Sequence, residues 1–142
     1  MKNLLVLLFI SSVSYGQNMT ISQICDYYKS ITPIKIDKET TLKGVACTDE
    51  IFGYNYNLSK SKNELDFTVL ITTEALMINN LNKSVNSDSE MLTIRKSGRI
   101  LGFSYFDSEN RILFAIFYTI DKITGKYEYN KSFSERVVKL SQ

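Results

Sequence analysis

The chain has 142 residues, 44% of them hydrophobic, with nine tyrosines and eight phenylalanines, which is enough apolar surface for one compact domain and too much for a disordered one. Seventeen basic and fifteen acidic side chains leave a formal charge of +2, so there is no electrostatic case for binding nucleic acid or an anionic membrane surface. Histidine is absent, which removes the commonest general base, the Ser-His and Cys-His nucleophile pairs and the usual zinc and copper ligands; no catalytic residue, cofactor or metal site is assigned.

Residues 1–16 read as a cleaved secretory signal. Lys2 supplies the positive start, Leu4 to Ile10 is unbroken apolar sequence, and Ser14-Tyr15-Gly16 provides small residues at a cleavage site. The run is shorter than the roughly 20 residues that span a bilayer, and Gln17, where a lipoprotein would carry cysteine, argues against a lipid anchor. The expectation is an exported protein, periplasmic or secreted, with a single globular domain over residues 17–142 and no membrane insertion once the signal is removed.

A helix is predicted from Ile21 to Ile31. Thr20 and Gln23 have capping-box spacing, Met19 and Ile24 are placed for a hydrophobic staple, and Pro33 ends the element. Ile21, Ile24, Cys25, Tyr28 and Ile31 fall on one face of it. Cys25 and Cys47 are the only cysteines, and in an exported chain they predict one disulfide, closing a loop of about 20 residues for about 3 kcal/mol.

Thr41 to Cys47 and Phe52 to Leu58 read as a hairpin turning at Thr48-Asp49-Glu50, with Phe52, Tyr54, Tyr56 and Leu58 on the half-buried face of the second strand. Ser59 to Asn63 is a loop, and Leu65 to Ile71 reads as extended chain leading into a helix near Thr73. Ser87 and Glu90 suggest a second capping box, opening a short helix that Gly98 stops.

Arg99 to Asp107 and Arg111 to Asp121 form the firmest hairpin, and the uninterrupted apolar run Ile112 to Tyr118 marks a strand that is covered on both faces or central in the sheet. Tyr127 and Tyr129 suggest an edge strand, and Ser134 a cap for a short terminal helix holding Val137, Val138 and Leu140. The predicted class is α+β: a four- or five-stranded antiparallel sheet, with the N-terminal amphipathic helix and one or two central helices packed on one face. The opposite face, or an edge, is left for a partner.

Tyr54-Asn55-Tyr56 in an early hairpin, then helix, then Gly98 opening a hairpin that reads Leu101 to Asp107 with Asn110 in its turn and Leu113-Phe114 beyond, resembles small exported bacterial proteins of unknown function. The resemblance covers about Thr40 to Thr119 and implies no catalytic residues. Where those proteins would carry a cysteine near the end of the helix before the glycine, this chain has Val85.

Asp49-Glu50 and Glu64-Asp66 are paired carboxylates in predicted turns. With Asp107 they are the candidates for acid–base work in a small hydrolase or lyase, if two of them converge in a cleft. Asn86, Asp88 and Glu90 alternate like the start of a calcium loop but lack its glycine and its acidic twelfth residue. Arg95, Lys96 and Arg99 cluster at a helix end, where cations meet the negative end of the dipole. A carrier of a small apolar ligand would need an enclosed cavity lined by Phe103, Phe114 and Phe117. The feature of greatest weight is tyrosine on strands: Tyr54, Tyr56, Tyr105 and Tyr118 are the candidate binding residues, since tyrosine combines a large apolar face with a hydroxyl. Export, small size and missing histidine then favour a non-enzymatic binding protein of inhibitor, immunity or envelope-accessory type, whose partner is another protein in the envelope or outside the cell.

Overall fold

A computed structural model describes residues 19–142; the expected signal, residues 1–16, lies outside the described residues. Helix α1 (Ile21–Ile31) is followed by strands β1 (Ile34–Lys35), β2 (Thr40–Cys47) and β3 (Ile51–Leu58). After a 3-10 turn at Lys62–Glu64 come helices α2 (Phe67–Ser84) and α3 (Ser89–Lys96), then strands β4 (Ile100–Phe106), β5 (Ile112–Ile120) and β6 (Tyr127–Tyr129), and finally helix α4 (Lys131–Leu140).

Helix α1 starts as its sequence dictates. The Thr20 hydroxyl accepts from the Gln23 amide, Gln23 returns the bond to the Thr20 amide, and the buried stripe is Ile24, Cys25 and Tyr28. The disulfide is present: Cys25 on that stripe is bonded to Cys47 at the end of β2, with Cα atoms 6.2 Å apart. It pins the helix to the strand it packs against.

The strands form one six-stranded sheet in the order β1-β2-β3-β4-β5-β6. This corrects the expected four or five antiparallel strands on two counts. The two-residue β1 pairs with β2 through a turn in which Asp37 Oδ1 accepts from the amides of Glu39 and Thr40, each at 2.8 Å. The central pair β3 and β4 is parallel, from Ile51 beside Ile100 to Asn57 beside Phe106. Parallel neighbours need a long crossover, and the two-helix passage through α2 and α3 provides it.

Three local expectations also change. Extended chain was expected up to about Thr73, but α2 begins at Phe67, because the Asp66 carboxylate accepts from the amides of Thr68 and Val69 and nucleates the helix a turn and a half earlier. Asp88, not Ser87, caps α3, accepting from the amides of Glu90 and Met91. Asn130 caps α4, which leaves Ser134 inside that helix.

Alternation along the strands separates two packed layers. Phe52, Tyr54 and Tyr56 of β3, Leu101, Phe103 and Tyr105 of β4, and Phe114, Ile116 and Tyr118 of β5 share one face with Ile24, Tyr28, Met77, Leu81, Met91 and Ile94 from α1, α2 and α3. On the other face a smaller cluster of Ile112, Ala115 and Phe117 packs against Phe133, Val137 and Val138 of α4. The apolar run in β5 is therefore covered on both sides. Gly102 is required beneath this second layer, since a Cβ there would lie 2.4 Å from the ring of Phe117, its cross-strand partner.

Candidate functional site

Parallel pairing of β3 with β4 and antiparallel pairing of β4 with β5 line up three cross-strand rows: Phe52, Leu101 and Tyr118; Tyr54, Phe103 and Ile116; Tyr56, Tyr105 and Phe114. The rings stack along the rows, Tyr54 on Phe103 at 5.2 Å, Tyr56 on Tyr105 at 4.7 Å and Tyr105 on Phe114 at 4.8 Å between centroids. The expected binding tyrosines are thus brought together, but inside the molecule. Tyr54, Tyr56, Tyr105 and Tyr118 retain 3%, 2%, 4% and 1% of their exposure, because the helices cover this face of the sheet. As they stand they present no surface to a folded partner.

The hydroxyls of Tyr54 and Tyr118 are bonded internally. Glu90, in the first turn of α3, turns its carboxylate inward and accepts from the Tyr28 hydroxyl at 2.9 and 3.1 Å and from the Tyr54 hydroxyl. Burial pushes the Glu90 carboxyl above its ordinary range, the two phenol donors oppose that, and the charge of Asp88 adds to it. Burial first, and the Glu90 charge second, raise the phenols of Tyr28, Tyr54 and Tyr56. Tyr118 donates to Asn82 Oδ1 at 2.7 Å and so fastens α2 to β5. Sequence reading treated Glu90 as a helix cap and missed this cluster. The signal lay in Asp88, a better cap one residue after Ser87, which frees Glu90 to face Tyr28 on the apolar stripe of α1.

Of the candidate carboxylates, Glu64 and Asp107 come near each other, accepting from the adjacent amides of Ser61 and Lys62, but both are spent on those bonds and neither lines the grooves described below. Asp49 and Glu50 are exposed in the β2–β3 turn, Glu64 closes a capping box with Ser61, and Asp66 caps α2. Asp107 is fully buried and structural. Its carboxylate accepts from the amides of Lys62, Glu109 and Arg111 and from Arg111 Nε, all at 2.8–2.9 Å, joining the β4–β5 turn to the loop after β3. Burial alone would raise this carboxyl, but those backbone donors and the Arg111 guanidinium hold it down at about 2.

Other candidates are likewise occupied. The Asn86 side chain joins α3 to β6, accepting from the Tyr127 amide and from Arg95 and donating to the Tyr127 carbonyl. Arg99 donates to the Thr48 carbonyl. Phe103 and Phe117 belong to opposite faces of the sheet, so they and Phe114 do not line one cavity.

Besides a depression of about 210 Å³ beside the disulfide, where Asp26, Lys29, Asp49 and Arg99 meet, two further surfaces are open among the described residues. On the face carrying α4, the helix covers β5 but leaves the β2 side bare. There Lys43, Gly44, Val45, Asn55, Phe106 and Asn110 line a depression of about 250 Å³. Lys43 Nζ and Asn57 Nδ2 both donate to Asn110 Oδ1, at 3.0 and 2.9 Å, and Asn110 sits in the left-handed region at φ 62°. The second surface is the β5 edge, where a groove of about 270 Å³ runs between α2 and α4.

Among the described residues no helix is long and apolar enough to cross a membrane. No protein-family model and no curated protein matches the chain. Among solved structures it is similar to the crystal structure of a "putative secreted protein" from Pseudomonas aeruginosa, with 15% identity and a TM-score of 0.58 over 70% of this chain and 85% of that one. That likeness shows a shared fold.

Proposed function

We propose that this protein is an exported, non-enzymatic binding protein that engages another protein in the envelope or outside the cell through the bare sheet face around Lys43, Asn55, Phe106 and Asn110. The observation that carries the reading is the division of labour across the sheet. The tyrosines and Glu90 are consumed in holding three helices on one face, while a concave strip of mixed polar and apolar side chains is left uncovered on the other. Such a strip, with Phe106 half-buried among Lys43, Asn55 and Asn110, has the apolar centre and polar rim of a protein contact. Tyr54, Tyr56, Tyr105 and Tyr118 serve it from beneath by fixing the strands that present it. Export is supported by the leader-like residues 1–16, by the disulfide, which persists in oxidising compartments, and by the description of the Pseudomonas protein as secreted. The Glu90 cluster lines neither of these two grooves, and its acid and phenols are bonded to one another.

The test is capture. Immobilised chain 17–142 is exposed to envelope and secreted extracts of the source organism. One protein retained at near-equal stoichiometry, lost with Lys43→Glu combined with Asn55→Arg and kept with Tyr56→Phe, is the expected result. Retention of nothing, or retention insensitive to the Lys43 and Asn55 changes, contradicts it.

A further inference from the structure

Strand β2 carries a β-bulge at Lys43. Leu42 pairs with Tyr56 and Gly44 with Asn55, which leaves Lys43 as an extra residue with no partner on β3. Leu42 and Cys47 are an odd number of residues apart, so regular alternation would put them on opposite faces of the sheet. The bulge lets both face the helices, opposite Tyr56 and Phe52, and so brings Cys47 to Cys25. On the bare face it sets two successive residues, Lys43 and Gly44, beside Asn55 in the wall of the 250 Å³ depression.

That depression is rich in donors and holds one charge. Lys43 is exposed, it makes no ion pair among the described residues, and no acidic residue lines the depression with it. Of the acids in the adjoining β4–β5 turn, Asp107 is spent on backbone amides and Arg111, and Glu109 pairs with Arg111 at 2.8 Å. Lys43 Nζ donates to Asn110 Oδ1 at 3.0 Å, a neutral acceptor, which leaves two of its three N–H groups unclaimed. Lysine can only donate, so that atom is the amide oxygen, and Asn57 Nδ2 donates to it as well, at 2.9 Å. Asn110 Nδ2 is then a donor with no acceptor among the described residues, and the side chain of half-buried Asn55 likewise has no partner among them. Half-buried Phe106 supplies the apolar part of the lining.

We propose that this depression receives a carboxylate of the protein partner, bonded by the Lys43 ammonium and the side-chain amides of Asn55 and Asn110, with an apolar side chain beside it on Phe106. The inference rests on the bare-face reading and gives that face a chemistry. One cation without a counter-ion, among amide donors and with no acid in the lining, selects an anion over a basic or neutral group. A single lysine balances the single charge of a carboxylate, and bonds from an ionised donor to an ionised acceptor are the strong ones. The space of about 250 Å³ takes the carboxylate together with one neighbouring side chain. The carboxylate is the partner's C-terminus or the side chain of an aspartate or glutamate, and the test separates the two.

The test titrates three peptides into isotope-labelled chain 17–142 and follows backbone and side-chain amides by NMR. They are Ac-GSGF with a free C-terminus, the same peptide amidated, and amidated Ac-GEFG, which carries its carboxylate on a side chain. The expected result is that an acid peptide shifts the Gly44 amide and the side-chain amides of Asn55 and Asn110, and binds about tenfold more tightly than amidated Ac-GSGF. Which of the two acid peptides does so identifies the source of the carboxylate. The preference is lost in Lys43→Met and kept in Lys43→Arg, both at an exposed bulge position where folding is spared. No shift with either acid peptide at millimolar concentration, equal affinity with and without the carboxylate, or a preference that survives Lys43→Met overturns the proposal, even where the capture experiment succeeds. Retention of no protein in that experiment overturns the bare-face reading instead, so the two failures are told apart.

Discussion

Replacing Tyr54 by Phe deletes one hydroxyl and tests the acid–phenol cluster. Wild-type Glu90 accepts from two phenols and the variant from Tyr28 alone, at 2.9 and 3.1 Å, inside a packed core where Tyr54 is 3% exposed. A hydrogen bond to a charged acceptor contributes about 2 kcal/mol, and one to a neutral acceptor about 1 kcal/mol. The loss therefore depends on the protonation of Glu90. Its folded-state carboxyl is raised, chiefly by burial, so the stability it contributes is fully present below the unfolded carboxyl value and is lost as pH rises through the folded one. Removing a phenol donor raises the folded value further and extends that loss upward in pH. With no tryptophan in the chain, urea unfolding is followed by circular dichroism. At a slope of about 2 kcal/mol/M, the midpoint falls by about 1 M at pH 7 and by about half that near pH 4. In a Glu90→Gln background the pH dependence of the shift disappears. A shift equal at both pH values, or absent at pH 7, refutes a charge-assisted bond at Glu90.

Three further outcomes follow from the same packing. Asp107→Asn places an amide against the Lys62 amide and Arg111 guanidinium where a carboxylate now accepts, at a cost of about 3 kcal/mol by urea unfolding; because the wild-type carboxyl is held at about 2, its contribution is present above the unfolded value and lost as pH falls toward 2, so the variant is less acid-sensitive over that range. Removing the disulfide with Cys25→Ala and Cys47→Ala releases a crosslink of separation 22 and lowers stability by about 3 kcal/mol, with faster amide exchange concentrated in α1. Ser134→Ala strips the buried Phe117 amide of its acceptor and costs about 2 kcal/mol, read from the denaturation midpoint.

Elements specified by neighbours in sequence were readable before the structure. The Thr20 and Gln23 cap, the hairpin turning at Thr48 to Glu50, the left-handed stop at Gly98 and the β4–β5 hairpin all depend on spacing within a few residues. The disulfide needed only two cysteines and one apolar helix face. What depends on distant partners was not readable. Alternation marks β3 and β4 as strands but carries no sign of whether they run parallel, which the α2 and α3 crossover decides. Alternation also showed that Tyr54 and Tyr56 share a face without showing that three helices cover it. The early end of the β5–β6 ladder was hidden for a similar reason, since a hydroxyl seventeen positions away takes the Phe117 amide.

The central claim is that recognition belongs to the bare sheet face and not to the tyrosine-bearing one. Amide hydrogen exchange on the chain alone and in complex with its captured partner tests this most directly. The account predicts new protection at residues 43–45, 55–57 and 106–110, with α1 and α3 unchanged. Protection concentrated in α1 and α3, over the Tyr28, Tyr54 and Glu90 cluster, would contradict it.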